Sequence, residues 1–384
     1  MEFKQNENTL TLYFEGELNS YNAEQIDAEI EKVLTGKTFT KIALDFSKLN
    51  YISSAGLRII LKLKQKYKNV VILEANLEVY DILSMTGFVD VLEVKKALKR
   101  VDVSNAEVIG EGYFSTVYRV DKDMIIKVFN RTSDPDQIER ELSLAKEAFI
   151  LGIPTAISFD IVRVGEKLGV RFEMLDCMSL KDAFKNQPDK YQDLIKRYVD
   201  LLIKINTTVC SLGSRVPKIK DFYLEKVEFI KNNFTEEQYQ RIKKIILSIP
   251  DEETFIHGDC HFKNIMVQGD ELLLIDMDTL SRGHPIFELA AIYAPYVAFE
   301  EDDPGNTERF LGMPKDLVQN IYHDLVKGYF GKEDPVIYEK IALVSYIHMV
   351  WWNRINEPSN MKRLEGCKGR LLKLLDKYAD VEIK

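Results

Sequence analysis

TFIHGDCHFKNIMVQGDELLLIDMDTL, residues 254–280, is the stretch on which the reading turns. Phe255-Ile256 reads as an apolar strand end that runs into His257-Gly258-Asp259-Cys260-His261-Phe262-Lys263-Asn264. A short hairpin follows, turning at Gln268-Gly269-Asp270, and the strand LLLID ends on Asp276. Phosphoryl transfer needs little covalent help from a protein. It needs one carboxylate to orient the attacking hydroxyl and oxygen ligands to hold magnesium. Asp259 suits the first role, and Asn264 and Asp276 suit the second. Taken singly, Asp259 could cap a turn and Asn264 could fill one. The joint spacing argues against that, because the hairpin brings all three together.

Upstream, VIGEGYFSTVYRV (108–120) places Gly110, Gly112 and Ser115 in a turn between two β-rich runs. Glycine there lets backbone N–H groups approach phosphate oxygens, although a glycine turn alone is often a plain hairpin. MIIKVFN (124–130) follows, with Lys127 alone inside an apolar strand, where a lysine is costly to bury unpaired. In SDPDQIERELSLAKEAFILG (133–152), Asp134 reads as the cap and Pro135 as a first-turn residue of a helix. Glu141 on that helix can reach Lys127, with Glu139 as the competing choice. A strand lysine held by a helix glutamate and aimed at nucleotide phosphates is a recurring kinase device. RFEMLDCMSL (171–180) leaves a strand and enters a helix, and Glu173 to Leu175 read as a hinge whose backbone meets adenine.

The 254–280 block resembles the aminoglycoside phosphotransferase and choline kinase group, whose loop reads His-Gly-Asp-x-His-x-x-Asn. The match includes His257, Gly258, Asp259, His261 and Asn264, with Ile275-Asp276 after it. The resemblance covers about residues 103–384. It implies a two-lobed protein-kinase-like fold (N-lobe about 103–175, C-lobe about 176–384), ATP as donor and Asp259 as the catalytic carboxylate. It also implies Asn264 and Asp276 as magnesium ligands, Lys127 on the phosphates, and His257 and His261 as braces of the loop. Two departures stand out. Glu288-Leu289-Ala290 replaces the group's usual Asp-Leu-Ala, and the longer carboxylate reads as a loop brace. GEGYFSTVY looks closer to eukaryotic-type protein kinases, which keeps a protein substrate open.

Residues 1–98 read as a separate α/β domain. TLTLYFEGEL (9–18) alternates as a half-buried strand does, and KIALDF (41–46), VVILEA (70–75) and VLEV (91–94) read as further strands. NAEQIDAEIEKVLTG, SAGLRIILKLKQKYK (54–68) and LEVYDILSMTGF (77–88) read as helices between them, which makes a small sheet with helices packed on it. Ser53 or Ser54 can cap the middle helix, and the two serines can be caps and nothing more. GEL at 16–18, DFSKLNYISSAGLR at 45–58 and MTGF at 85–88 resemble the STAS domain of anti-sigma-factor antagonists. The resemblance implies phosphorylation at Ser54 by a partner kinase and switching of a regulatory protein partner. The family often has aspartate before that serine, where this chain has Ser53.

Composition bounds the rest. The chain has 384 residues, 46% hydrophobic and 29% charged, with a net charge of −9. That acidic balance argues against non-specific nucleic-acid binding. No apolar run reaches the roughly 18 residues that span a bilayer, and MEFKQNENTL carries no export signal. The four cysteines are scattered and form no CxxC pair, so a cytoplasmic location is expected, without a zinc site. FEEDDPG (299–305) reads as a solvated acidic loop or as an attractor for a cationic acceptor. Trp351 and Trp352 read as core or as pocket lining. Two functions follow. One is an ATP- and magnesium-dependent phosphotransferase acting on a hydroxyl of a small molecule or a protein serine, with a STAS domain for regulation. The other is a nucleotide-sensing regulator of a partner-switching system with little or no catalysis.

Overall fold

Thr9–Leu18 alternates inward and outward, so Leu10, Leu12 and Phe14 fall on one buried face of a strand. From that strand the first of two compact units is built. The computed structural model describes residues 2–6, 8–111, 115–130, 135–211 and 215–378. The units are Met1–Asp102 with Val162–Glu166, and Val103–Ile161 with Lys167–Lys384.

The first unit runs β1 (Glu2–Asn6), β2 (Thr9–Leu18), α1 (Ala23–Leu34), β3 (Lys41–Ile52), α2 (Ser54–Lys66), β4 (Val70–Ala75), α3 (Leu77–Met85), α4 (Phe88–Val91) and β5 (Glu93–Lys96). Its sheet has the order β1-β2-β3-β4-β5. The β1 strand is antiparallel to β2, and the other neighbours are parallel. Several elements differ from the sequence reading: β1 is not expected from it, and β5 begins two residues later than the strand expected at 91–94. β3 continues six residues past Phe46, because Lys48 to Ile52 keep pairing with the end of β2. The helix expected at 77–88 closes near Gly87, as its sequence suggests, but this glycine, left-handed at φ 75°, also starts the separate turn α4, which ends where the strand VLEV is expected to begin. Gly56 lets α2 pack down, since a Cβ there would come within 2.7 Å of the Leu18 side chain.

After the two-residue strand β6 (Lys99–Arg100), the second unit opens with β7 (Glu107–Glu111), β8 (Ser115–Arg119), β9 (Met124–Phe129) and α5 (Pro135–Ile150). The strands β10 (Ser158–Val164) and β11 (Lys167–Glu173) complete this lobe. The strand order is β10-β11-β9-β8-β7, which puts Lys127 of β9 between Val117 and Val170 in the middle of the sheet. Gly112 and Asp134 lie outside the described residues.

The other lobe begins with β12 (Met178–Ser179), α6 (Leu180–Asn186), α7 (Tyr191–Thr207), α8 (Ile219–Ile230) and α9 (Glu236–Ser248). The short strands β13 (Phe255–Ile256), β14 (Ile265–Gln268), β15 (Glu271–Leu274) and β16 (Ser281–Arg282) follow. It ends in α10 (Ile286–Tyr293), α11 (Phe299–Asp302), α12 (Asn306–Leu311), α13 (Lys315–Phe330), α14 (Pro335–Asn356) and α15 (Met361–Lys377). The apolar stripes of α7, α9, α10, α13 and α14 meet in one core. No helix among the described residues is long and apolar enough to cross a membrane.

Candidate active site

The loop from His257 to Asn264 leaves β13 and enters the β14–β15 hairpin. β13 pairs antiparallel with β16, so both ends of the functional stretch are tied to one another. Gly258 allows the first bend: its φ is 81°, and a Cβ there would stand 3.1 Å from the Thr279 carbonyl oxygen. Asp276 also sits in the left-handed region at φ 65°, unusual for a residue with a side chain. The turn aims its carboxylate back toward the sheet of the other lobe.

Five side chains converge. Asn264 Nδ2 donates to Asp259 Oδ2 at 2.9 Å and to the Asp259 carbonyl at 3.1 Å. His261 Nε2 stands 3.5 Å from Asp259 Oδ1. Lys127 Nζ meets Asp276 Oδ1 at 2.6 Å, across 149 residues of chain. The Lys127–Glu141 ion pair expected from sequence is not formed. Glu141 accepts from Gln137 at 3.0 Å, and burial pushes its carboxyl above the ordinary value. The lysine is within the field of both carboxylates, and the Asp276 turn delivers the nearer one.

The carboxylates crowd each other. Desolvation, then the charge of Asp276, raises Asp259 to about 7. The same causes, in the same order, raise Asp278 to about 7. Asp278 was not singled out from sequence, although its spacing from Asp276 placed two carboxylates side by side. Among the described residues no group of three His, Cys, Asp or Glu side chains forms a ready metal cage. The donor chemistry still fits a hard divalent cation: Asn264, Asp276 and Asp278 offer oxygen ligands, and the raised carboxyls of Asp259 and Asp278 would be relieved by positive charge.

The loop is braced from beneath. Glu288, fully buried, accepts from His257 N at 2.6 Å and from Gly258 N at 3.1 Å, one bond to each carboxylate oxygen. This is the brace expected of the longer carboxylate. Burial, partly offset by these bonds, raises Glu288 to about 7. His257 accepts from Asp259 N through Nδ1 at 3.2 Å, and Thr279 Oγ1 donates to its carbonyl at 2.6 Å. Burial lowers His257 and His261 to about 4, so both are neutral imidazoles at pH 7. Tyr198 donates to the Cys260 carbonyl, and Tyr296 accepts from Phe262 N at 2.8 Å. No local signal could have found these tyrosines, which come from α7 and from the segment after α10.

Gly110 lies in β7 opposite Val117, and Ser115 opens β8 opposite Phe129. Glu173 ends β11, with its N–H on the Ile157 carbonyl at 3.0 Å and its carboxylate on Ile157 N at 2.7 Å. Met174 N donates to the Asp123 carbonyl. Glu173 is thus a sheet residue, and Leu175 is the part of the expected hinge beyond the sheet bonds. The acidic run is neither a solvated loop nor an open attractor. Glu300 accepts from Gly305 N and Thr307 N, Glu301 and Asp302 pair with Arg370, and Asp303 pairs with Arg363 and Arg309. Trp351 packs against the lobe's core, and Trp352 meets Phe299 edge-on at 4.8 Å. Ser53 caps α2, its Oγ accepting from Ala55 N at 3.2 Å, while Ser54 is exposed at the first helical position.

A two-lobed kinase-like fold with this loop defines a phosphotransferase class. The chain belongs to the phosphotransferase enzyme family, whose model matches residues 105–312, and its first unit is a STAS domain, matched over 1–101. A protein named "Putative anti-sigma factor antagonist BtrV", from Bordetella bronchiseptica, is 36% identical over 84 residues, which is 21% of this chain and 72% of that protein. Similar solved structures include a choline/ethanolamine kinase family protein from Mesorhizobium loti, at 14% identity and TM-score 0.46 over 71% of this chain and 88% of that one. They also include an ADP-bound aminoglycoside phosphotransferase APH(2'')-Ib, at 16% identity and TM-score 0.47 over 73% and 95%.

Proposed function

We propose that residues 103–384 transfer the γ-phosphate of ATP to a hydroxyl, with residues 1–98 as a regulatory unit. The observation that carries this is the meeting of Lys127 and Asp276 from opposite lobes beside the Asp259–Asn264 pair. Asp259 is the carboxylate that orients the acceptor hydroxyl and takes its proton as the bond to phosphorus forms. Lys127 serves the nucleotide phosphates, a role that the sequence also gives to Gly110, Gly112, Ser115 and Glu141, and the hinge beyond the sheet bonds of Glu173, at Leu175, serves the base. Asn264 and Asp276, with Asp278, would hold magnesium, which when bound supplies charge neutralisation at the transferring group. His257 and His261 keep the loop in shape as neutral rings, and Glu288 fixes its backbone from below.

Membership in the STAS family supports a regulatory role for the first unit. Within it, Ser53 is occupied as a cap, whereas Ser54 is exposed. We assign Ser54 as the position where a phosphate would switch a protein partner. The site is proposed to act in the cytoplasm. Turnover of ATP by the full chain with magnesium, against Asp259→Ala, tests the enzyme reading. ATP binding without turnover by any hydroxyl acceptor would favour the nucleotide-sensing regulator. Intact mass after ATP incubation reads Ser54 directly.

A further inference from the structure

Four side chains lie between Asp259 and Asn264. Cys260, His261 and Phe262 are buried, and Lys263 is exposed. Its ammonium donates to the Phe310 carbonyl at 3.2 Å and lies 4.8 Å over the Phe310 ring. Among the described residues Lys263 makes no ion pair. Partial desolvation against its neighbours, then the charge of Lys181, holds this ammonium below its ordinary value although the side chain is largely exposed. Lys181 is anchored by its N–H on the Phe262 carbonyl at 3.1 Å, and its own ammonium pairs with Asp182 at 3.3 Å. One cation of the two is therefore neutralised, and Lys263 is not.

Phe310 ties this ammonium to the proposed chemistry. The ring meets His261 edge-on at 5.8 Å, and His261 Nε2 stands 3.5 Å from the Asp259 carboxylate. Phe310 is also 45% exposed, so it presents an apolar face as well as a support. Its short helix α12 is fixed by the Glu300 bonds to Gly305 N and Thr307 N and by buried Leu311. The nearby acidic run, which would have favoured a cationic acceptor, is occupied by Arg363 and Arg370.

We propose that Lys263 and Phe310 recognise the acceptor, and that this acceptor carries an anionic group near the hydroxyl that receives the phosphate. The proposal rests on the phosphotransferase reading. A fixed ammonium on a rigid loop holds a phosphate or carboxylate by a charge-assisted hydrogen bond. The ring alongside covers the carbon skeleton between that anion and the hydroxyl at Asp259. A polycation such as an aminoglycoside would meet like charge at Lys263.

The test uses the full chain with ATP and magnesium and matched acceptors: glycerol against glycerol 3-phosphate, ribose against ribose 5-phosphate, and kanamycin as the polycation. The expected result is a kcat/KM at least about tenfold higher for the anionic member of a pair, and none for kanamycin. Lys263→Met should collapse that ratio toward one, and the KM for ATP should move less than the KM for the acceptor. Preference for a neutral or cationic acceptor would overturn the proposal. So would a Lys263→Met effect confined to the KM for ATP, which would place the ammonium on the nucleotide. If none of these acceptors turns over, ATP turnover against Asp259→Ala judges the phosphotransferase reading, and calorimetry decides the site separately. Binding of glycerol 3-phosphate or ribose 5-phosphate that is lost in Lys263→Met supports it. Absent binding, or binding equal in the variant, overturns it.

Discussion

Ser54 and Asp259 both stand just past the end of a strand, two residues beyond Ile52 in one unit and three beyond Ile256 in the other. Around Ser54 little is fixed. One neighbouring hydroxyl caps the helix, and the serine itself faces solvent. Around Asp259 almost everything is fixed, by Asn264, by Glu288 under the preceding two residues, and by two tyrosines under the following ones. A position that a partner must reach can stay on the surface. A carboxylate that must hold an angle to a reacting group has to be over-determined by buried polar bonds, which are costly to leave unmade. The first arrangement costs the fold little, and the second makes the loop sensitive to single changes beneath it.

The contrast can be broken most directly at Asp259. Asp259→Ala should lower phosphoryl transfer about a thousandfold, as removal of a proton acceptor does. A loss of less than about tenfold would remove Asp259 from that role. The raised carboxyl sharpens the same point. With its value at about 7, Asp259 is protonated and inactive below that pH, so turnover should fall as pH drops through 7. An acid limb near pH 4 would mean that neither the desolvation of Asp259 nor the charge of Asp276 acts in the working enzyme.

Glu288→Gln tests the brace. One of the two amides at His257 and Gly258 then faces an NH₂ group, at a cost of about 1–3 kcal/mol read from denaturant midpoints. The pH dependence has a definite sign. The folded carboxyl keeps its proton up to about 7, whereas the unfolded one releases it near 4.5. Its contribution is fully present below about pH 4.5 and is lost as pH rises through 7. The stability gap between wild type and Glu288→Gln should shrink over that window, and a gap that widens would sink the account. The smallest effects belong to the serines. Ser53→Ala should cost about 1 kcal/mol as a lost cap, and Ser54→Ala less than about 0.5 kcal/mol. Equal losses at both positions would contradict their separate roles.

Much of this was legible along the chain. The period-2 pattern of Thr9–Leu18, the hairpin after Asn264 and the spacing from Asp259 to Asp276 are local facts, set by neighbours within a few residues. They placed the fold class, the loop and even the Glu288 brace. Partner choice was not local. Which carboxylate takes Lys127 depends on how a turn with positive φ at Asp276 aims its side chain across 149 residues, and no periodicity encodes that. The acidic run at 299–305 looked like a charged loop because composition cannot show that Arg363 and Arg370 of α15 would come to meet it. Lys263 looked like one lysine among many, until folding buried the three residues before it and left its ammonium beside Phe310. Spacing along the chain set which groups the loop carries, and long-range packing decided which of them meet and which remain open to a substrate.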